Sequence, residues 1–251
     1  MTHTAGYLSI PLCFFFCVSC AEISIAADAA SQLVQIPAGF GDSSNAYPFS
    51  VGPRRYQQIY SASAFPSVFS KGNTIDKIMF RNEEDPVWDL PYGPTQINLQ
   101  ISLAYAKTKV ATASSVFADN IGSNFTVVMD EVIIRSNDGT GPITAFDFIL
   151  DVANTFTYDL TKGDLLLQVL VRSQEGFTFF DAASSSQQSV TTRIWSGGVN
   201  AASGNVGLGF MDNRPYGLVT QFEFVPEPGT AALLGLAAVI LGARRSRASS
   251  V

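Results

Sequence analysis

Residues 95–106 alternate between apolar and polar. Ile97, Leu99, Ile101, Leu103 and Tyr105 fall on one side of an extended chain, and Gln96, Asn98, Gln100 and Ser102 on the other. Successive side chains of a β-strand point to opposite faces. A period of two held over this length therefore calls for a strand with one face in a core and one toward solvent. The same spacing recurs in Leu218, Thr220, Phe222 and Phe224, and in Phe146, Phe148 and Leu150. The stretches RRYQQIY, TIDKIMFR, NFTVVMDEVIIR, SVTTRIW and NVGLGFM add further strands, and DLLLQVLVR (164–172), apolar almost throughout, predicts a central strand covered on both faces.

Turn residues separate these segments: Lys71-Gly72-Asn73, Pro91-Tyr92-Gly93-Pro94, Asn137-Asp138-Gly139, Thr161-Lys162-Gly163-Asp164 and Ser196-Gly197-Gly198. Glycine and asparagine supply positive φ, and proline presets a negative one. Short strands with frequent turns and little helical periodicity predict an all-β fold, a single antiparallel β-sandwich of jelly-roll type spanning residues 28–224. Isolated helical turns are expected near 61–65 and 113–118. The low-complexity run AASSSQQS (182–189) reads as an exposed loop.

Only 14% of the residues are charged, against roughly 25% in an average protein. Nineteen Phe and eight Tyr supply material for a packed core. The net charge of −6 argues against nucleic acid as a partner, since phosphate neutralisation needs clustered Lys and Arg. All three cysteines, Cys13, Cys17 and Cys20, and the one histidine, His3, lie in the first twenty residues. If that segment is removed, the body has no disulfide, no Cys or His metal ligand and no Ser-His-Asp or Cys-His nucleophile.

The segment 1–27 reads as a secretory signal peptide, with an apolar run over 8–18 followed by Ser24, Ala26, Ala27 and Ala29. Lipoprotein processing at Cys20 is the alternative. Residues 230–243 are uncharged, and as a helix they span roughly 21 Å, short of a hydrocarbon core of about 30 Å. Arg244, Arg245 and Arg247 follow, which holds that side in the cytoplasm and leaves the body outside. Before the helix stand Val225, Pro226, Glu227, Pro228 and Gly229, where the two prolines keep the chain extended.

Val225-Pro226-Glu227-Pro228-Gly229, then a short Ala/Leu/Gly helix, then Arg244-Arg245, closely resembles the PEP-CTERM sorting signal of Gram-negative bacteria, over residues 225–247. The resemblance implies recognition by an exosortase, cutting near Pro-Glu-Pro, a transient membrane anchor at about 230–243, and delivery to the cell surface or the extracellular polysaccharide matrix. The tail also occurs on some ice-binding proteins, where it acts as an address. In this chain Thr155 and Thr157 begin no repeated threonine array.

Carboxylates and aromatics are the remaining chemistry. Trp88, Tyr92 and Trp195 are candidate stacking platforms for a glycan. Asn82, Glu83, Glu84 and Asp85 form a candidate Ca²⁺ site through their oxygen ligands, without the alternating spacing of a calcium loop. Asp130 and Glu131 are adjacent on a strand, so they face opposite ways and do not make a catalytic pair. The expectation is an exported, exosortase-processed surface or matrix protein with no catalytic residues, metal or cofactor. The alternatives are a carbohydrate-binding module for exopolysaccharide and, more remotely, a carboxylate-dependent glycan hydrolase.

Overall fold

The computed structural model describes residues 31–39, 43–49, 52–67, 72–82, 92–137, 145–175, 179–207 and 217–225. These form an all-β, sandwich-like structure of antiparallel sheets. Strands β1 (Gln32–Ile36), β4 (Asn73–Phe80), β7 (Phe148–Tyr158) and β12 (Thr220–Val225) make a four-stranded sheet in the order β1-β12-β4-β7. Strands β3 (Arg54–Tyr60), β5 (Tyr92–Tyr105), β6 (Thr126–Asn137), β8 (Leu165–Gln174), β10 (Thr191–Ser196) and β11 (Asn205–Val206) make a six-stranded sheet in the order β11-β10-β3-β8-β5-β6. A short ladder joins β2 (Ser43–Asn45) to β9 (Phe180–Ala182).

The inward sets of the alternating strands meet between the sheets. Ile97, Leu99, Ile101 and Leu103 of β5 are at most 2% exposed, and Phe222 and Phe224 of β12 at most 1%. Aromatic rings bridge the layers. Tyr60 meets Phe222 edge-on at 5.1 Å, Tyr105 lies 5.8 Å from Tyr158, and the Tyr60 hydroxyl shares a 2.7 Å hydrogen bond with Thr220 Oγ1. Desolvation pushes the Tyr56, Tyr60 and Tyr158 hydroxyls well above their ordinary acidity range, so all three stay neutral. The turn at Gly163 has φ of +133°, a conformation open to glycine, as the Thr161-Lys162-Gly163-Asp164 signal requires.

Strand β8 lies between β3 and β5, and residues 165–169 are buried on both faces. Its second face is covered by the excursion after β5, which carries a 3-10 turn at Val110–Thr112 and the one-turn helix α1 (Phe117–Asn120). Phe117, fully buried, packs in a second small core with Ile59, Leu166 and Ile194. The excursion is pinned by polar contacts. Asn120 Nδ2 donates to Gln57 Oε1 (3.1 Å), Gln57 Nε2 donates to Phe117 O (3.1 Å), and the Arg55 guanidinium lies 4.5 Å from the Phe117 ring centre. The covering layer comes close at Gly204, where an added Cβ would sit 2.4 Å from Trp195 O and 2.9 Å from the Phe117 ring. Gly204→Ala is therefore expected to cost about 2 kcal/mol in urea unfolding, by forcing backbone and ring apart. A loss indistinguishable from zero refutes the close packing.

The run 182–189 is exposed as expected at Ser186, Gln188 and Ser189, but its first three residues are not. Ala182 closes β9, and Ala182, Ala183 and Ser184 are buried. Ala183 N donates to Gly217 O (2.8 Å), and a 3-10 turn follows at Ser185–Gln187. Small side chains here reflect tight packing beneath the segment that leads into β12. The helical turn expected at 61–65 is present as a 3-10 turn at Ala62–Ala64, while the one near 113–118 is displaced to the two turns flanking it.

On the outer face of the four-stranded sheet Lys77 Nζ donates to Glu223 Oε2 at 2.7 Å. That hydrogen bond, with a second from Ser31, holds the Glu223 carboxyl below its ordinary value of 4.5, and the same bond raises Lys77 above 10.5. A lowered carboxylate stabilises above its unfolded value and loses that contribution as pH falls through its folded one, and a raised lysine does the reverse on the alkaline side. The stability difference between the wild type and Glu223→Gln should thus be greatest between these two values and vanish toward either extreme. Both side chains are partly solvated, so its size is expected to stay below about 1 kcal/mol. Chemical unfolding across pH reads it, and a difference that grows toward acid contradicts it.

Candidate binding face

The excursion after β5 covers only part of the outer face of the six-stranded sheet. Over the far end of β5, β6 and β8 the outward side chains stay open. They are Gln96, Asn98 and Gln100 on β5, Asp130, Val132 and Ile134 on β6, and Leu170 and Arg172 on β8. The alternation of β5 that buries Leu99 is what lays these amides out in a row.

A bulge aims the central cation. Asn98 pairs with Ser173 and Leu99 with Val171, so Arg172 is the extra residue on β8. Bulges bend a strand and redirect its side chain. Arg172 reaches across β5 to β6 and forks onto Asp130, with Nη1 to Oδ1 at 2.5 Å and Nη2 to Oδ2 at 3.0 Å. Its Nη1 also donates to Asn98 Oδ1 (3.1 Å), and Gln100 Nε2 donates to Asp130 Oδ2 (2.7 Å). The Arg172 hydrogen bonds first, then that of Gln100, hold the Asp130 carboxyl below its ordinary value of 3.8. Both Asp130 oxygens are thus engaged, Oδ1 by Arg172 and Oδ2 by Arg172 and Gln100.

The side chains of this ion pair are 38% and 44% exposed, a setting in which such pairs add little to stability. What the network does is fix geometry. It presents a flat array of a held guanidinium, a held carboxylate and three amides, beside exposed Val132 (48%) and Ile134 (70%). Such a surface offers hydrogen bonds in both directions and an apolar strip, which suits the hydroxyl and C–H faces of a sugar chain.

The residues singled out by sequence fall elsewhere. Trp195 is 9% exposed, in β10, with its ring 4.3 Å from that of Tyr47 and 5.6 Å from the Arg193 guanidinium. As a stacking platform it is thereby corrected, because Tyr47 and Arg193 already cover it. Tyr92 begins β5, but its side chain and Trp88 lie outside the described residues. Asn82 is 7% exposed and bridges Phe180 through the backbone, while Glu83, Glu84 and Asp85 lie outside the described residues. Among the described residues no three His, Cys, Asp or Glu side chains gather as for a metal ion. Glu131 sits opposite Leu99, on the other face from Asp130, as adjacent strand residues must. Thr157 Oγ1 lies 3.4 Å from Thr74 Oγ1.

Val225 is the last residue of β12. Pro226, Glu227, Pro228, Gly229, Arg244 and Arg245, the helix expected at 230–243 and the signal segment 1–27 lie outside the described residues.

No family model, curated protein or solved structure matches the chain. Sequence reasoning missed Arg172 and Asn98 because their meeting depends on the β5–β8 register and on a bulge. One trace was readable: Arg172 is the first charged residue after a long apolar run.

Proposed function

We propose that this chain is an exported protein of the cell surface or extracellular matrix, carried there by a C-terminal signal that an exosortase recognises and cuts. The observation that carries the reading is the order Val225-Pro226-Glu227-Pro228-Gly229, apolar run, Arg244-Arg245, together with the signal-like segment 1–27. The body supports a structural role. Its strands visit the two sheets in the sequence β1, then β3, then β4, then β5 and β6, then β7, β8 and finally β12. Two Greek keys wound in this way make a jelly roll, and β10 and β11 extend one sheet. Replacing Pro226, Glu227 and Pro228 together by alanine is expected to abolish processing and release, followed by the mass of the mature C-terminus. Unchanged cleavage refutes this reading.

The network of Arg172, Asp130, Asn98 and Gln100 favours a second role, binding of an exopolysaccharide along the open face. Arg172→Ala is expected to lower the glycan signal on an array at least tenfold, since it removes a charge-assisted donor and frees Asp130 to move. Equal signals from wild type and variant, or no signal from either, defeat it.

A further inference from the structure

Four strands end the two main sheets, and three are poorly suited to accept another strand. β11 has two residues, and β1 has five and runs into Pro37. On β7, Phe156 pairs with Ile75 but Asp151 pairs with Lys77, so residues 152–155 break the ladder. The fourth, β6, has 12 residues and is paired to β5 along one side. Among the described residues no ladder joins its other side to β7, which runs close beside it. Asn154 Nδ2 donates to Val127 O (3.0 Å), and the Arg135 guanidinium lies 5.1 Å from the Phe148 ring centre.

An exposed edge strand is a template for pairing, which natural chains usually blunt with a central charge or proline. β6 has no proline, and its central charge, Glu131, is followed four residues on by an opposite one, Arg135. The stretch reads Glu131-Val132-Ile133-Ile134-Arg135, three β-branched apolar residues in a row, with Val132 48% and Ile134 70% exposed. The two charges flank them. Glu131 is exposed, and neither Glu131 nor Arg135 forms an ion pair among the described residues. Four residues apart on one strand, they are about 13 Å from each other and cannot meet. A guanidinium over a ring keeps N–H donors for a carboxylate.

The pattern is symmetric about Ile133. Two antiparallel copies of β6 related by a two-fold axis at Ile133 place Glu131 opposite Arg135 of the other copy, twice. Val132 then faces Ile134, and Ile133 faces itself. Within residues 131–135 every apolar side chain meets an apolar one, and each charge meets its opposite. An isologous contact of this kind closes at two and stops there. We propose that β6 is a homodimerisation edge, joining two six-stranded sheets into one continuous sheet. A second copy of this chain is the partner, because its own charges are what complete the pattern.

The test is a charge swap on the protein as the cell exports it, followed by sedimentation equilibrium. The wild type should be a dimer. Glu131→Arg and Arg135→Glu should each weaken dimerisation by more than about tenfold, because each change turns two attractive pairs repulsive at once. Mixing the two variants should restore it, since each supplies what the other lacks. Recovery in the mixture also shows that both variants are folded. Ile134→Lys, an outward and exposed position, tests the edge without touching Arg135 and should also give monomer. A monomeric wild type, a dimer indifferent to all three changes, or a mixture that stays monomeric while both variants keep native near-UV circular dichroism overturns the proposal. None of these outcomes depends on processing at Pro226-Glu227-Pro228.

Discussion

Arg81→Ala is expected to cost about 3–5 kcal/mol in urea unfolding, the largest effect of any single polar substitution in the body. Arg81, just after β4, and Asp181, in β9, form an ion pair whose side chains are 4% and 3% exposed, with Nε donating to Oδ2 at 2.5 Å. Arg81 Nη2 also donates to Gly39 O (2.8 Å), and its guanidinium lies 5.3 Å from the Phe146 ring centre. The backbone continues the junction: Asp181 N donates to Arg81 O (3.1 Å), and Val219 N to Asp181 O (2.9 Å). One ion pair thus joins the chain after β1, the end of β4, the β9 ladder and the approach to β12. Removing the cation takes its charged partner from a buried carboxylate. Removing both charges, as in Arg81→Met with Asp181→Leu, should cost less than either single change, since no uncompensated ion remains. A single-mutant loss under about 1 kcal/mol, or a double mutant as unstable as the sum of the singles, contradicts the assignment.

Gln58→Leu is expected to cost about 3 kcal/mol despite the similar size of the two side chains. Gln58 is fully buried on the inward face of β3, between Tyr56 and Tyr60. Its amide holds the Leu218 backbone groups, while the flanking Gly217 and Val219 bond to the β9 segment, where Ala182 bridges Leu218. Nε2 donates to Leu218 O (2.8 Å) and Thr191 Oγ1 (3.1 Å), while Oε1 accepts from Leu218 N (2.8 Å) and from the Tyr56 hydroxyl (2.5 Å). Leucine leaves the Leu218 N–H and the Tyr56 hydroxyl short of partners in a dry interior, at about 1–3 kcal/mol for each group. The adjoining Gly217 allows the approach, for an added Cβ there would stand 2.9 Å from Thr191 Oγ1. Hydrogen exchange at Leu218 should accelerate in the variant, which separates loss of this bond from general softening. An unchanged amide at Leu218 refutes the role.

The strands were legible from period-two alternation, because burial of one face leaves its print on every second residue. Both faces of β8 were readable for the same reason, through an apolar run without alternation. Gln58 was readable in part: it stands at an inward position of RRYQQIY, where a polar residue signals a buried network. The partner, Leu218, lies 160 residues away and is joined by topology alone. Trp195 misled because aromatic character is equally suited to a core and to a sugar platform, and Tyr47 decides between them. The 182–189 run misled only at residues 182–184, because small residues serve both tight packing and exposed loops. The binding face depends on one bulge in the β5–β8 register, and the β6 edge depends on which strand comes last in a sheet. Neither is a local property of the chain.

Strand β12 also decides how the body bears a load. It is flanked on both sides, by β1 and β4, and Gln32 pairs with Phe224 beside its end. A pull on Val225 against a body gripped through its other sheet drags β12 lengthwise past two neighbours, so the rungs resist together. A pull that separates Gln32 from Val225 instead peels β1 away from its end, one rung at a time. Tethered through its C-terminal side alone, the body is mechanically strong, and tethered by both ends it opens like a zip.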